Sequence, residues 1–227
     1  MQGIRTITVD LDDTLWEILP VIQRAERRLY EWLGENYPLI TEKFSVDEMR
    51  LLRDRVFEEH ADKLHDLTAV RRAVLTQAAA AAGYAEFRVD EAFAVFDEIR
   101  NDVDLFPEAR PALLALRERF TVIAVTNGNA NLEKIGIGDL FDAHINAAMA
   151  GAAKPDRPIF DAAVKAGRAS AGETLHVGDH PLHDVHGARE AGLRTVWVNR
   201  HGHRWPGDYA AADLEVRHVG ELAELMR

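Results

Sequence analysis

The sequence predicts an α/β fold, a doubly wound parallel sheet into which a helical segment is inserted. Three observations carry that prediction. Short β-branched runs, Ile4–Leu11, Phe120–Thr126, Thr174–Val177 and Arg194–Val198, are apolar on both faces, as strands buried in a parallel sheet are. Helical patterns at Ala109–Arg119, Pro158–Ala166, Leu182–Ala191 and Val219–Met226 alternate with them, as in βαβ units. Residues 17–102 break this alternation with helical patterns alone.

In chain order, the first strand runs into Asp10, Asp12 and Asp13 within ITVDLDDTLW. The insertion then offers amphipathic helices at Pro20–Trp32, Val46–His60, Thr68–Ala82 and Val89–Val103. Turn chemistry at Gly34–Pro38 and at Gly83 separates them. The alanine run Ala78–Ala82 is a good helix former and needs no special role. Pro107 and Glu108 open a new helix, so the α/β pattern resumes just before them. Ala143–Asn146 is a weaker strand candidate. The expected organisation is a core of residues 1–16 and 103–227 around a helical domain of residues 17–102.

Composition narrows the function. The chain has 227 residues, is 47% hydrophobic and contains no cysteine, so thiolate nucleophiles, Cys-bound metals and disulfides are excluded. A net charge of −11 with arginines scattered among acids shows no basic patch for nucleic acid. No apolar stretch is long enough to span a membrane and no signal-peptide pattern opens the chain, so a cytoplasmic protein is expected. An acidic surface repels anionic substrates unless local positive charge offsets it.

Open α/β sheets bind ligands beyond the carboxyl ends of their strands. There the sequence places Asp10, Asp12 and Asp13, then Thr126-Asn127-Gly128, then Gly151 to Pro155 with Lys154, and finally Gly178-Asp179 with Asp184 further on. Each has an ordinary reading alone. Asp10 to Asp13 make an acidic turn, Thr126-Asn127-Gly128 is good turn sequence, and Lys154 could be a solvated loop lysine. Asp179 could be an N-cap and Asp184 a first-turn residue of the helix that follows. Four strand ends delivering carboxylates, a hydroxyl and a lysine together point to one site.

Clustered Asp10, Asp12, Asp179 and Asp184 would repel one another without a cation, and Mg²⁺ is the hard ion that oxygen ligands suit. Lys154, Thr126 and backbone N–H groups add positive potential and donors, so a phosphate is the natural guest. Asp10 and Asp12 lie two apart in an extended segment and can share a face, whereas Asp13 should face away and hold the loop. One carboxylate can attack phosphorus while the other serves as general acid and base.

DLDDT at 10–14, TNG at 126–128, Lys154-Pro155 and GDxxxxD at 178–184 resemble the four motifs of the haloacid dehalogenase superfamily. The resemblance implies a Rossmann-like core and a helical type-1 cap that selects the substrate. It makes Asp10 the nucleophile and a Mg²⁺ ligand, and Asp12 the general acid/base, which also ligates through its carbonyl. It gives Thr126 and the Asn127 backbone N–H to the phosphoryl group, and Lys154 to the developing charge. Asp179 becomes a direct metal ligand and Asp184 an outer-shell partner. Dehalogenase members lack the Asp two residues after the nucleophile; with Asp12 present, a phosphatase is implied.

DLDDTLW…LPVIQRAER, VTNGNANLEKIGIGDLF and HVGDHPLHDVHGAREAG are further similar to a bacterial branch acting on flavin mononucleotide and 5-amino-6-(5-phosphoribitylamino)uracil. The expectation is therefore a Mg²⁺-dependent phosphatase of a small phosphorylated metabolite. The alternatives are a 2-haloacid dehalogenase, a phosphomutase or a non-catalytic phosphate-binding protein. His60, His65, Arg71 and Arg72 are the helical segment's candidates to reach a cleft, and Trp16 either lines a leaving-group pocket or packs. His180 and His183 read as loop residues.

Overall fold

The computed structural model describes residues 3–227, the side chain of residue 62 excepted. Two compact units emerge, Met1–Glu17 with Asp104–Arg227, and Ile18–Val103, each junction one residue from the boundary read in the sequence.

Strand β1 (Thr6–Val9) opens the first unit and is fully buried. It is shorter than the expected Ile4–Leu11 because the chain turns at once: Thr14 and Leu15 N–H both donate to the Leu11 carbonyl. The second unit follows, with α1 (Ile18–Asn36), α2 (Pro38–Lys43), α3 (Val46–Glu59), α4 (Leu67–Ala81) and α5 (Val89–Arg100). The break expected within Gly34–Pro38 falls at Tyr37, between α1 and α2. The buried stripe Val21, Ala25, Leu29, Leu33 carries α1 through Gly34, where the Thr41 side chain fills the space a Cβ would face. Pro38 starts α2, where its missing N–H costs nothing.

The helical unit has its own core, from Leu29 and Leu33 to Leu75, Phe93 and Phe96. Ala78 and Ala79, in the alanine run, are buried in it, so small side chains there let α4 approach its neighbours. Tyr37 packs edge-on against Tyr84 and Phe87, with ring centroids 5.1 and 4.8 Å away. Ser45 and Glu48 form a capping box at the start of α3, and Asp66 caps α4 through the Ala69 N–H at 2.9 Å.

The α/β unit resumes with α6 (Ala109–Arg117), β2 (Thr121–Thr126), α7 (Leu132–Ile135), β3 (Ala143–Asn146), α8 (Ala147–Ala150) and α9 (Arg157–Gly167). Strand β4 (Thr174–Gly178) leads into a π-helical turn, Pro181–His186, then α10 (Gly187–Glu190), β5 (Arg194–Val198), β6 (Leu214–Val216) and α11 (Val219–Leu225). All pairings are parallel, in the order β3-β2-β1-β4-β5-β6. That order reverses direction between β1 and β4, the switch point at which such sheets open a crevice. On one face Ile123 and Val125 pack with Ile159, Phe160 and Ala163 of α9 and Ala188 of α10. Val122 and Ala124 point the other way and are equally buried.

Strand β6 was not expected; it runs from half-buried Leu214 through exposed Glu215 to buried Val216, too few residues to show a period. The helix expected over Leu182–Ala191 is instead a π turn followed by one α turn. Gly167 shows how tightly α9 meets the sheet. A Cβ there would lie 2.6 Å from Thr6 Cγ2, and the Thr6 hydroxyl donates to the Gly167 carbonyl at 3.1 Å. Gly167→Ala is expected to cost about 1–3 kcal/mol by overpacking, read as a lower urea midpoint with an unchanged slope. Wild-type stability in that variant would show that the α9–β1 contact is loose.

Candidate active site

Each strand end at the switch point contributes a side chain. Asp10 follows β1, and its N–H is still held by the Val177 carbonyl of β4 at 2.8 Å, so its position is set by the sheet. Thr126 ends β2, Lys154 follows β3 and α8, and Asp179 follows β4. Together with Asp12, Asp13, Asn127, Gly128, Asp184, His180 and His183 they line one cavity. Every residue assigned a site role from the sequence, Asp10, Asp12, Thr126, Asn127, Lys154, Asp179 and Asp184, is brought there.

Lys154 is the hub. Its ammonium is buried and donates to Asp10 Oδ1 at 2.5 Å, Asp184 Oδ1 at 2.6 Å and the Val125 carbonyl at 3.2 Å, which uses all three donors. Burial alone would make Lys154 release its proton; the two carboxylates outweigh burial and hold the pKa above its ordinary value. Asp10 Oδ2 accepts from the Thr14 hydroxyl at 3.2 Å, so the carboxylate is gripped at both oxygens.

The carboxylates respond differently to this setting. Burial pushes Asp10 up to about 7 against the pull of Lys154, with Asp184 and Asp12 adding to the rise. Burial and the charges of Asp184, Asp10 and Asp13 push Asp179 up to about 8. Asp184 is also buried, but Lys154 and His176 outweigh that and hold it well below the usual carboxylate range. It accepts from Lys154 and His176 Nε2 at Oδ1 and from the His180 N–H at Oδ2.

The oxygens of Asp10, Asp179 and Asp184 can lie within 4.8 Å of one another, an all-oxygen donor set with two members that ionise reluctantly. That chemistry fits a hard divalent cation. The three donors on Asp184 suit an outer position around such an ion, leaving Asp10 and Asp179 to face it. The Asp12 side chain is not in this cluster; its Oδ1 accepts from Trp16 Nε1–H at 2.9 Å. Trp16 is fully buried and is not among the residues that line this cavity.

Several residues differ from their sequence reading. Asp13 does not face away from the site: it sits in the left-handed region (φ 59°), exposed on the cavity rim. His180 is an N-cap, its Nδ1 accepting from Leu182 and His183 N–H at 3.2 Å, so Asp179 is not the cap. His183 stacks on His180 with centroids 4.0 Å apart, and both line the cavity. The Asn127 side chain, to which the sequence reading gave no role, holds the lysine loop. Nδ2 donates to the Lys154 carbonyl at 2.9 Å and Oδ1 accepts the Lys154 N–H at 2.6 Å, a two-point clamp between the β2 and β3 loops.

The structure adds His176, on β4, which the sequence reading passed over. Burial holds its pKa down, so it is neutral. Its Nε2 must then carry the proton to bond ionised Asp184, and Nδ1 accepts from the Thr8 hydroxyl at 2.8 Å. Close approach matters as well. A Cβ at Gly178 would sit 2.3 Å from the Asp184 carboxyl carbon, and one at Gly187 2.7 Å from the Pro155 Cα. Both glycines let the β4 turn and α10 crowd against Asp184 and the lysine loop.

In the helical unit, Arg72 pairs with Asp90 at 2.7 Å and His60 Nδ1 lies 3.0 Å from the Val56 carbonyl. His65 sits in the turn before α4, and Arg71 lines a cavity within the unit.

Residues 4–192 match the model of the haloacid dehalogenase-like hydrolases. The chain belongs to this family. It is 33% identical to the 5-amino-6-(5-phospho-D-ribitylamino)uracil phosphatase YigB of Escherichia coli, over 86% of this chain and 83% of that protein. It is 31% identical to a phosphoserine phosphatase of Thermus thermophilus, over 98% of each. Among solved structures, a 2-haloacid dehalogenase from Pseudomonas syringae pv. tomato superposes with a TM-score of 0.91 at 37% identity, over 98% of each chain. The haloacid dehalogenase-like hydrolase fold thus has the Rossmann-like parallel sheet expected from the sequence. No helix among the described residues is long and apolar enough to cross a membrane.

The raised carboxyls fix the sign of a pH effect. Burial keeps protons on Asp10 and Asp179 up to about 7 and 8 in the folded chain, protons that the unfolded chain has released near pH 4. A divalent cation must displace them at low pH and need not at high pH. The Mg²⁺-induced rise in Tm is therefore expected to grow between about pH 6 and about pH 8.5, and to shrink in Asp179→Asn. A Tm shift independent of pH and of Asp179 would show that Mg²⁺ binds elsewhere.

Proposed function

We propose that this hydrolase cleaves a small-metabolite phosphomonoester in a Mg²⁺-dependent reaction through an aspartyl-phosphate on Asp10. The chain is a haloacid dehalogenase-like phosphoric monoester hydrolase, in line with its curated phosphatase relatives. The observation that carries the mechanism is the Asp10 carboxylate, held at both oxygens by Lys154 and Thr14 on the floor of the cavity.

Asp10 attacks phosphorus, the P–O bond to the leaving group breaks, and its carboxylate becomes the acyl phosphate. The Thr126 hydroxyl accepts from the Gly128 N–H at 2.9 Å and keeps its own proton to donate to a phosphoryl oxygen. Because the Asn127 side chain is spent on Lys154, the Asn127 backbone N–H is the group assigned to phosphate. Asp12, oriented by Trp16 Nε1, gives its proton to the leaving oxygen and then takes one from the water that hydrolyses the intermediate. Lys154 holds the nucleophile in place and opposes the charge gathering on the phosphoryl oxygens. Mg²⁺, held by Asp10 and Asp179 with the Asp12 carbonyl and with Asp184 outside them, would add positive charge against the phosphate. Substrate selection is assigned to the helical unit, and a cytoplasmic location goes with a soluble metabolite substrate.

Flavin mononucleotide or a ribitylaminouracil phosphate is the first substrate assigned, supported by the similarity to the E. coli ribitylaminouracil phosphatase. The likeness to a 2-haloacid dehalogenase favours a second reading. Halide leaves without a proton and its displacement needs no divalent cation. The oriented Asp12 carboxyl and the Asp10, Asp179, Asp184 cluster therefore weigh for phosphate.

Asp10→Asn is expected to lower phosphatase turnover by roughly 10⁴-fold or more while the fold persists by circular dichroism. EDTA should abolish wild-type turnover and Mg²⁺ restore it, across a panel containing flavin mononucleotide, ribitylaminouracil phosphate, phosphoserine and sugar phosphates. Substantial activity in Asp10→Asn removes the nucleophile assignment. Chloride release from 2-chloropropionate without phosphate release would establish the second reading.

A further inference from the structure

A parallel sheet holds the main chain only as far as its last ladder pair. Where β4 meets β5 that pair is Gly178 with Trp197, so Asp179 is the first residue beyond the ladder. Its carbonyl is held all the same, because Trp197 Nε1–H donates to it at 2.7 Å. Trp197 is buried, and a buried indole N–H needs an acceptor. Here the acceptor belongs to the main chain of a residue assigned to the metal.

The other end of the same peptide group is fixed as well. The His180 N–H donates to Asp184 Oδ2 at 2.9 Å, so the peptide is gripped at its oxygen from β5 and at its nitrogen by the Asp184 carboxylate. A peptide unit is planar, so holding both ends sets ψ of Asp179 and φ of His180. With Gly178 anchored in the ladder, the direction of the Asp179 side chain follows. The indole is itself braced. Trp205, in the loop between β5 and β6, meets it edge-on with ring centroids 4.9 Å apart, and Trp205 Nε1–H donates to the Tyr209 carbonyl at 2.9 Å. The Tyr209 ring lies 5.0 Å from that of His186, in the π turn that carries Asp184.

We propose that Trp197 is a positioning residue for the metal centre: by holding the Asp179 carbonyl, its indole N–H aims the Asp179 carboxylate toward those of Asp10 and Asp184, whose oxygens can lie within 4.8 Å of it. The inference rests on the reading of Asp179 as a Mg²⁺ ligand. Trp197 itself is not among the residues that line the catalytic cavity, so it acts through Asp179 and touches no substrate. Without the indole N–H the peptide between Asp179 and His180 is free to rotate, and rotation also withdraws a donor from Asp184. A cation whose ligands must first be ordered binds more weakly, because the ordering opposes binding.

Calorimetric titration of Mg²⁺ into the whole chain, with no substrate present, tests this. Replacing Trp197 by benzothienylalanine keeps the fused ring and exchanges its N–H for sulfur, so the packing against Trp205 is preserved. That replacement is expected to raise the Mg²⁺ Kd by about tenfold while the fold persists by circular dichroism. Trp205→Phe, which thins the packing but keeps the bond, should lower the Tm and leave the Kd in place. In wild type the Trp197 indole proton, identified in the NMR spectrum by its loss from the benzothienyl variant, should shift along the same Mg²⁺ isotherm. An unchanged Kd in the benzothienyl variant overturns the inference, as does a Kd raised equally by Trp205→Phe or an indole proton indifferent to Mg²⁺. If Asp179→Asn abolishes binding in the same titration, the ligand reading survives that failure. Mg²⁺ binding that persists in Asp179→Asn overturns both.

Discussion

A buried ammonium between two buried carboxylates is the constraint around which the α/β unit is arranged. Lys154 cannot be hidden without partners, and Asp10 and Asp184 cannot be crowded without a cation. The three groups reach the same point from β1, from the loop after β3 and from the turn after β4, so the sheet must hold its register for the charges to meet. The Lys154–Asp10 contact ties the fold to chemistry, because the same ammonium that makes Asp10 tolerable in the interior also aims it into the cavity.

Much of the surrounding structure serves that contact. Asn127 pins the main chain of Lys154, His176 and the His180 N–H fix Asp184, and Thr14 steadies the second oxygen of Asp10. Gly178 and Gly187 supply the room. The result is a set of carboxylates in unlike states. Asp184 is firmly ionised and committed to its donors, whereas Asp10 and Asp179 resist ionisation and so have most to gain from a cation. Division of labour among similar residues thus follows from partners and burial.

The parallel strands are legible in the sequence because they are apolar on both faces, and the polar residues at their ends mark the site. What escaped reading depends on contacts between distant positions. His176 looks like any strand residue until Asp184 and Thr8 are seen beside it, and the Asn127 clamp joins residues far apart in the chain. His180 and His183 carried no spacing that would distinguish cap from loop, and the π turn that holds them leaves no period to detect. Strand β6 is too short to show alternation, and the point within Gly34–Pro38 where α1 gives way to α2 is fixed by the buried stripe that carries α1 past Gly34. In the helical unit, Arg71 lies over the Phe96 ring and lines a cavity of that unit, contacts that helical spacing does not reveal.

Proteins named as a phosphatase and as a dehalogenase both resemble the chain. The proposed reaction requires Asp10 to carry the phosphoryl group. Borohydride quenching during turnover of a phosphate ester, followed by peptide mass spectrometry, reads this directly, because an acyl phosphate is reduced to the alcohol. Homoserine is expected at position 10, dependent on substrate and found at no other aspartate. Unmodified Asp10 under turnover, or reduction at Asp12, Asp179 or Asp184 instead, would contradict it.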